Sequence, residues 1–438
     1  MKKVFALLLS ASLAACAAPQ PSPYRLSADD ERFLDELERP AFNFFWEQTG
    51  PETGLTQDRA PNFEKKDRGG AASIAASGFA LTALGVGVSR GWVPREAAYA
   101  RALATLKHFR YRQPQVHGWF YHFVDPKTGA RVWDSELSSI DTALFLLGAL
   151  FIGEYFPGTE VQRLAQEIYA RVDFGWMLTD GGAKPGSLTL SMGWNPEHGF
   201  LASRWDSYCE LMALYLLGLG SPAHPLPTAS WSAWKRPRGA YAGGAEHVMI
   251  APLFTHQYSH VWFDFRGKRD AFADYFDNSI AATLANRRFA VDQAASYATY
   301  GPDVWGLTAS DGPDGYKAYG APPAPHEHDG TVAPTAAGGS LVFTPELSLR
   351  ALRAMRAKYG DRIWGRYGFC DAFNADPRWA KRFNAPGLWR SPDALAIDEG
   401  PILLMAENLR TGLVWETFAR SAAARRGMER AGFSAGGP

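Results

Sequence analysis

The sequence predicts an all-α protein, an (α/α)6 barrel: a toroid of six helical hairpins with short strands in its loops. Three observations predict it. Richly apolar segments alternate along the chain with amphipathic ones that carry Arg, Lys and Glu on one side. No long linker, low-complexity tract or charge block interrupts this alternation after residue 24. Nearly every apolar segment opens with polar residues, as expected where helix starts gather at one end of a ring. Such a ring needs inner helices buried all round and outer helices buried on one face.

Taken in order, the chain opens on "MKKVFALLLSASLAAC". Lys2 and Lys3 precede an apolar run, Val4 to Leu9, that is too short to span a bilayer and reads as a signal peptide. Leu13-Ala14-Ala15-Cys16 resembles a bacterial lipobox, so residues 1–15 are expected to be removed and Cys16 lipidated. Residues 16–24 then form a short extended tether, and 25–438 one large domain. This predicts an exported protein, held to the membrane through Cys16 and facing the periplasm. Cys209 and Cys370 are two thiols or one pair; two cysteines make no disulfide framework.

Within the domain, the amphipathic segments 30–48, 94–109, 159–172, 271–289 and 413–432 are expected to form the outer ring. The apolar segments 73–88, 139–156, 206–220, 255–265, 344–360 and 398–409 are expected to form the inner one. The outer helix between the third and fourth inner ones is the weakest, around "TASWSAWKRP".

The inner segments open with Ser73 and Ser77; Glu136, Ser138, Ser139 and Asp141; Asp206 and Glu210; His256, Gln257 and His260; Thr344 and Glu346; Asp398 and Glu399. If the inner helices run parallel, these residues line one basin, and the helix dipoles point positive charge into it. Several carboxylates in an aromatic-lined basin suit glycoside hydrolysis, where one acid protonates the leaving oxygen and a second carboxylate activates water or attacks. Glu210 is the acid candidate: one turn inside an apolar helix, desolvation should raise its pKa. Asp206, four residues earlier, either caps that helix or binds substrate. Glu136 and Asp141 form the second acidic pair, with Ser138 or Ser139 as cap and Asp141 in the first turn.

Asp398 is a similar acid at a helix start. Trp305, Asp311, Asp314, Tyr316 and Tyr319 lie in a long Gly/Pro-rich aromatic loop, "DVWGLTASDGPDGYKAYGAPP", where substrate is held at a basin rim. In "HQYSH", His256 and His260 have the spacing of a zinc pair but lack the Glu of the metalloprotease motif. Tyr258 and the two histidines are better read as hydrogen-bonding partners of sugar hydroxyls or of the acids. No metal and no cofactor is expected. Lys plus Arg and Asp plus Glu both number 45, so charge gives no argument for nucleic acid. Several of the 15 tryptophans fall in loops such as "HGWFYHF" and "SMGWNPEHGF", and exposed aromatic platforms suit sugars.

At these residues the chain resembles the bacterial glucoamylase-like domain, whose characterised members include the β-1,2-glucanases of glycoside hydrolase family 144. The matching stretches include "ELSSIDTALFLLGAL", "YCELMALYLLGLGSPAHPLP", "PLFTHQYSHVWFDFRG", "WGLTASDGPDGYKAYGAPP" and "DEGPILLMAENLRTGLVW". The resemblance implies an (α/α)6 barrel and inverting, metal-free hydrolysis of β-1,2-glucan, with Glu210 as acid and Glu136 and Asp141 in the site. "YCELM" stands where the family more often has "YNEAM", and "DEGP" where it has "DQGP". Non-catalytic glycan binding, transglycosylation and polysaccharide lyase chemistry on the same barrel are the alternatives.

Overall fold

A computed structural model describes residues 24–64, 69–382 and 387–435. The signal peptide, Cys16 and nearly all of the tether lie outside the described residues. The chain folds as helices joined by loops that carry strands of two to four residues. Helix α1, Ala28–Gln48, starts in a capping box formed by Ser27 and Asp30. Helix α2, Ile74–Ser89, is buried at every residue from Ile74 to Gly87, the mark of a helix surrounded by others. Helix α3, Arg95–Tyr111, follows on the outside, and α4, Ser139–Tyr155, is again buried almost all round. Helix α5, Glu160–Arg171, buries one stripe: Val161, Leu164, Ala165, Ile168 and Tyr169.

The short α6, Phe174–Leu178, leads to α7, Met212–Gly220, all of whose residues are buried. Helices α8, Ala229–Ser232, and α9, Tyr258–Trp262, are brief, and α10, Tyr275–Asp292, buries one face. Helix α11, Pro334–Gly338, is wholly buried, while α12, Pro345–Tyr359, buries a stripe that includes Leu349, Leu352 and Met355. After α13, Pro377–Arg382, come α14, Ala396–Arg410, α15, Leu413–Phe418, and α16, Ala422–Arg430.

The all-round-buried helices form a closed circuit of contacts. α2 packs on α4, α4 on α7, α7 on α9, α9 on α14, and α14 back on α2. α11 packs on α14 and is tied toward α9 by Gln257, whose Nε2 donates to Ala336 O and Ser340 Oγ, both at 2.8 Å. Glycines set the closest approach: a Cβ at Gly148 of α4 would stand 1.9 Å from the Gly78 carbonyl of α2. α1, α3, α5, α10, α12 and α16 lie against this circuit from outside, and α15 packs on α4, α9 and α14 together.

Several segments differ from the sequence expectation. The segment 255–265 is not one helix but a 3-10 turn, Leu253–His256, followed by the five-residue α9. The apolar 206–220 segment becomes helical only at Met212. Upstream, Tyr208 N–H donates to Lys235 O and Lys235 N–H to Asp206 O, so the backbone is committed to a bridge. The segment 344–360 is not an inner helix: Arg353 and Arg356 of α12 face outward to Asp30 and Glu36 on α1, and the Ala/Gly-rich α11 takes the inner place. The segment 413–432 is two helices, α15 and α16, rather than one. Cys209 and Cys370 are both free and buried.

Candidate active site

Short strand ladders hold the helix starts. Thr56–Gln57 pairs with Ala72–Ser73 just before α2, and Ala72–Ser73 pairs with Phe123–Val124. Arg59–Pro61 pairs with Asp393–Leu395 just before α14, and Leu137–Ser138 pairs with Gly193–Asn195 just before α4. Each ladder fixes the side chain next to it. Asp58 and Arg59, His122, Glu136 and Asp141, and Asp398 are thereby brought to one end of the circuit.

Ser138 caps α4. Its Oγ accepts from Asp141 N–H at 3.2 Å and donates to Asp141 Oδ2 at 2.5 Å. His122 lies between two acids, with Nδ1 3.1 Å from Glu136 Oε1 and Nε2 3.4 Å from Asp141 Oδ1. Burial opposes a charged imidazole here, but Asp141, Glu136 and Asp58 outweigh it and lift His122 to about 9. The hydrogen bond from His122 in turn holds Glu136 below its ordinary range. Gly193 admits this packing, since a Cβ there would stand 2.8 Å from Glu136 Cγ. One nitrogen of His122 and one oxygen from each acid lie within 4.8 Å, a set that could hold a cation. The imidazole, however, meets each acid with a different nitrogen, the arrangement of a protonated histidine between two carboxylates.

Glu210 sits two residues ahead of α7. Ser259 Oγ donates to the Glu210 carbonyl at 3.1 Å and accepts from Ala213 N–H at 3.0 Å, which pins the turn. The side chain keeps partial access to the cleft although protein surrounds it on most sides. That desolvation pushes its carboxyl up to about 7, Asp141 adding to the rise, while the Cys209 thiol donates a hydrogen bond that opposes it. Burial thus brings the Glu210 carboxyl toward neutrality, while Asp141 faces the His122 imidazole.

A second group adjoins the first. Arg59 Nη1 lies 3.2 Å from both Asp311 oxygens, and its Nε 3.2 Å from Asp58 Oδ2. Ser391 Oγ donates to Asp311 Oδ2 at 2.8 Å, and Asp311 N–H to Asp371 Oδ2 at 2.7 Å. Asp371 and Asp398 are buried neighbours, and a carboxyl oxygen of each, Asp371 Oδ1 and Asp398 Oδ2, has no hydrogen-bond partner among the described residues. Burial raises both, and raises Glu399 beside them. Tyr258 is buried with its hydroxyl donating to Ile397 O at 2.7 Å, and the half-exposed Tyr316 faces Asp398, Asp371, Asp58 and Asp311.

Of the residues singled out in the sequence, Glu210, Glu136, Asp141, Asp311, Tyr316, Tyr258 and Asp398 are brought together. Asp206 is not a helix cap: it is exposed on the wall of an adjoining cavity of about 800 Å³, with Trp205, Cys209 and Met249. Asp314, at the tip of the 309–318 hairpin, pairs with Arg382. His256, His260, Trp305 and Tyr319 are not on the cleft surface. His256 Nδ1 meets Tyr208 Oη at 3.0 Å and His260 Nε2 meets Ser279 Oγ at 3.1 Å, and burial lowers both imidazoles to about 3. Trp305 has no exposed surface, and Tyr319 is buried with its hydroxyl donating to Asp329 Oδ2 at 2.7 Å. The sequence reading did not single out Asp58, Arg59, His122 or Asp371. His122 lies in "HGWFYHF", a stretch whose signal in the sequence is its aromatics.

Residues 202–422 match the model of the family described as "Putative glucoamylase". A structure of the same description from Bacteroides uniformis shares 31% identity, with 94% of this chain and 99% of that one covered and a TM-score of 0.80. The endo-β-1,2-glucanase of Chitinophaga pinensis, solved with sophorotriose and glucose, shares 28% identity over 94% of this chain and 99% of that one, also at 0.80. Among curated proteins, the chain is 27% identical to the exo β-1,2-glucooligosaccharide sophorohydrolase (non-reducing end) of Parabacteroides distasonis, over 92% of this chain and 58% of that protein's length. Sequence and fold agree along almost the whole chain, and the protein belongs to the glucoamylase-like family.

Proposed function

We propose that this protein hydrolyses β-1,2-linked glucan, with Glu210 as general acid and a carboxyl on a different helix as base. The observation that carries the reading is the environment of Glu210: a half-buried residue whose carboxyl desolvation pushes up to about 7, with Asp141 adding to the rise. Glycosidases need two carboxyls whose environments hold one protonated and the other ionised. Asp141, held by His122 and Ser138, is the partner assigned to orient water. The names of the relatives from Chitinophaga pinensis and Parabacteroides distasonis supply the linkage. In this reading the circuit α2–α4–α7–α9–α11–α14 is the inner wall of an (α/α)6 barrel. The lipobox-like segment ending at Cys16 supports an exported protein tethered to a membrane.

The test is incubation with linear β-1,2-glucan and separation of the products. Sophoro-oligosaccharides should appear. In Glu210→Gln, turnover should fall by about 10²–10⁴-fold, the usual contribution of a general acid, while the fold is kept. Products from another β-glucan alone would overturn the linkage, and none from any glucan would overturn hydrolysis. A loss below tenfold would remove Glu210 from the acid role.

A further inference from the structure

Trp133 is 71% exposed, the most exposed of the large apolar side chains among the described residues. It and Asp134 both adopt left-handed backbone, with φ of 56° and 51°. Two successive non-glycine residues in that region are costly and persist only where surrounding structure enforces them. Here Arg131 enforces them. Its Nε donates to Ser135 O and its Nη2 to Asp134 O, both at 2.5 Å, and its Nη1 to Glu197 Oε1 at 2.7 Å. Ser135 Oγ and Val132 N–H both donate to Phe123 O at 3.1 Å, closing the base of the loop.

This bracing does not serve the core, because among the described residues the exposed indole contacts one other ring, Phe123, at 5.2 Å. Phe123 in turn stacks on the His122 imidazole at 3.8 Å with an interplanar angle of 16°. An aromatic ladder thus leads from the imidazole between Glu136 and Asp141 out to solvent, with its last rung held open.

We propose that Trp133 is the platform of an outer sugar subsite, against which a glucosyl ring of the bound chain stacks beyond the residues being cleaved. The inference rests on the reading of the cleft as a glucan site. A pyranose presents C–H groups on its flat faces and hydroxyls at its edge. The indole face meets the first, and the exposed Asp134 carboxylate beside it accepts from the second. An exposed acid next to the indole in the chain suits a hydroxylated ligand better than an apolar protein surface.

The experiment compares wild type, Trp133→Ala and Trp133→Phe on a series of sophoro-oligosaccharides of increasing length. The ratio of kcat/KM for long chains to that for short ones should fall about tenfold in Trp133→Ala, the scale of losing one aromatic anchor. Trp133→Phe should recover part of it. In a Glu210→Gln background, long chains should change the tryptophan emission, and Trp133→Ala should remove that change. An unaltered ratio with unaltered emission in a folded variant overturns the proposal. So does loss of self-association in Trp133→Ala with the length dependence intact, which would make the indole a contact between copies. If wild type cleaves no β-1,2-glucan, the proposed linkage fails separately. The platform is then judged by emission changes over a panel of glucans, and the same changes with and without Trp133 overturn it.

Discussion

His122 decides the electrostatics of the site, since a neutral imidazole could not serve Glu136 and Asp141 with both nitrogens as donors. Its position depends on Phe123–Val124 pairing with Ala72–Ser73, some fifty residues away, so no local signal marks it in the sequence. Glu210 was legible for the opposite reason. An acid in an apolar run has few tolerable fates, and chemistry is one of them. The charge on His122 has a measurable consequence. Its folded value of about 9 lies above the ordinary 6.5. The ion pairs therefore contribute stability that is fully present below pH 6.5 and is lost as pH rises through 9. The urea midpoint of wild type should fall across that window, and His122→Gln should show a shallower fall. Parallel slopes would show that the imidazole is neutral in the fold.

At the scale of elements, strong periodicity carried the reading. Segments apolar all round gave α2, α4 and α14, and striped segments gave α1, α3, α5 and α10. The misplaced elements are those decided by partners far along the chain. The late start of α7 follows from the bridge to Lys235, and α11 is five residues of Pro, Thr, Ala and Gly with no period to detect. Hairpin glycines and inner-helix glycines look alike in sequence, yet only the latter set distances between helices. Gly148→Ala should therefore destabilise strongly, because the added Cβ meets the backbone of α2 and no side chain can move aside. Overpacking costs typically about 1–3 kcal/mol, and backbone contact belongs at the upper end or beyond. Gly186→Ala, where nothing lies within 4 Å, is the control and should stay within about 0.5 kcal/mol. Equal denaturation midpoints for the two variants would mean that α2 and α4 separate freely.

At the scale of the molecule, α15 packs on α4, α9 and α14, and its Trp415 Nε1 donates to His260 O at 2.6 Å, so α15 ties three helices of the circuit together. The carboxyls gather where α4 and α14 begin and just before α7, so the acid and any base come from different elements. This bears on stereochemistry. An inverting pair needs carboxyls roughly 6.5–9.5 Å apart, with room for water, whereas a retaining pair stands at about 5–5.5 Å. Asp206 is the poorer second carboxyl, since it lines the adjoining cavity and is not among the groups that act on Glu210. Asp141 is the carboxyl that acts on Glu210, while burial pushes Asp398 up to about 7, which makes it the weaker candidate for an ionised base. We therefore expect the first-formed product from a β-linked chain to be the α-anomer, read by proton NMR before mutarotation. Asp141→Asn should lose turnover on the scale of Glu210→Gln. Asp398→Asn should lose less, because burial already favours the protonated form of this carboxyl and the amide keeps its shape. A β-anomer would rule out inversion. An active Asp141→Asn beside an inactive Asp398→Asn would move the base across the ring to α14.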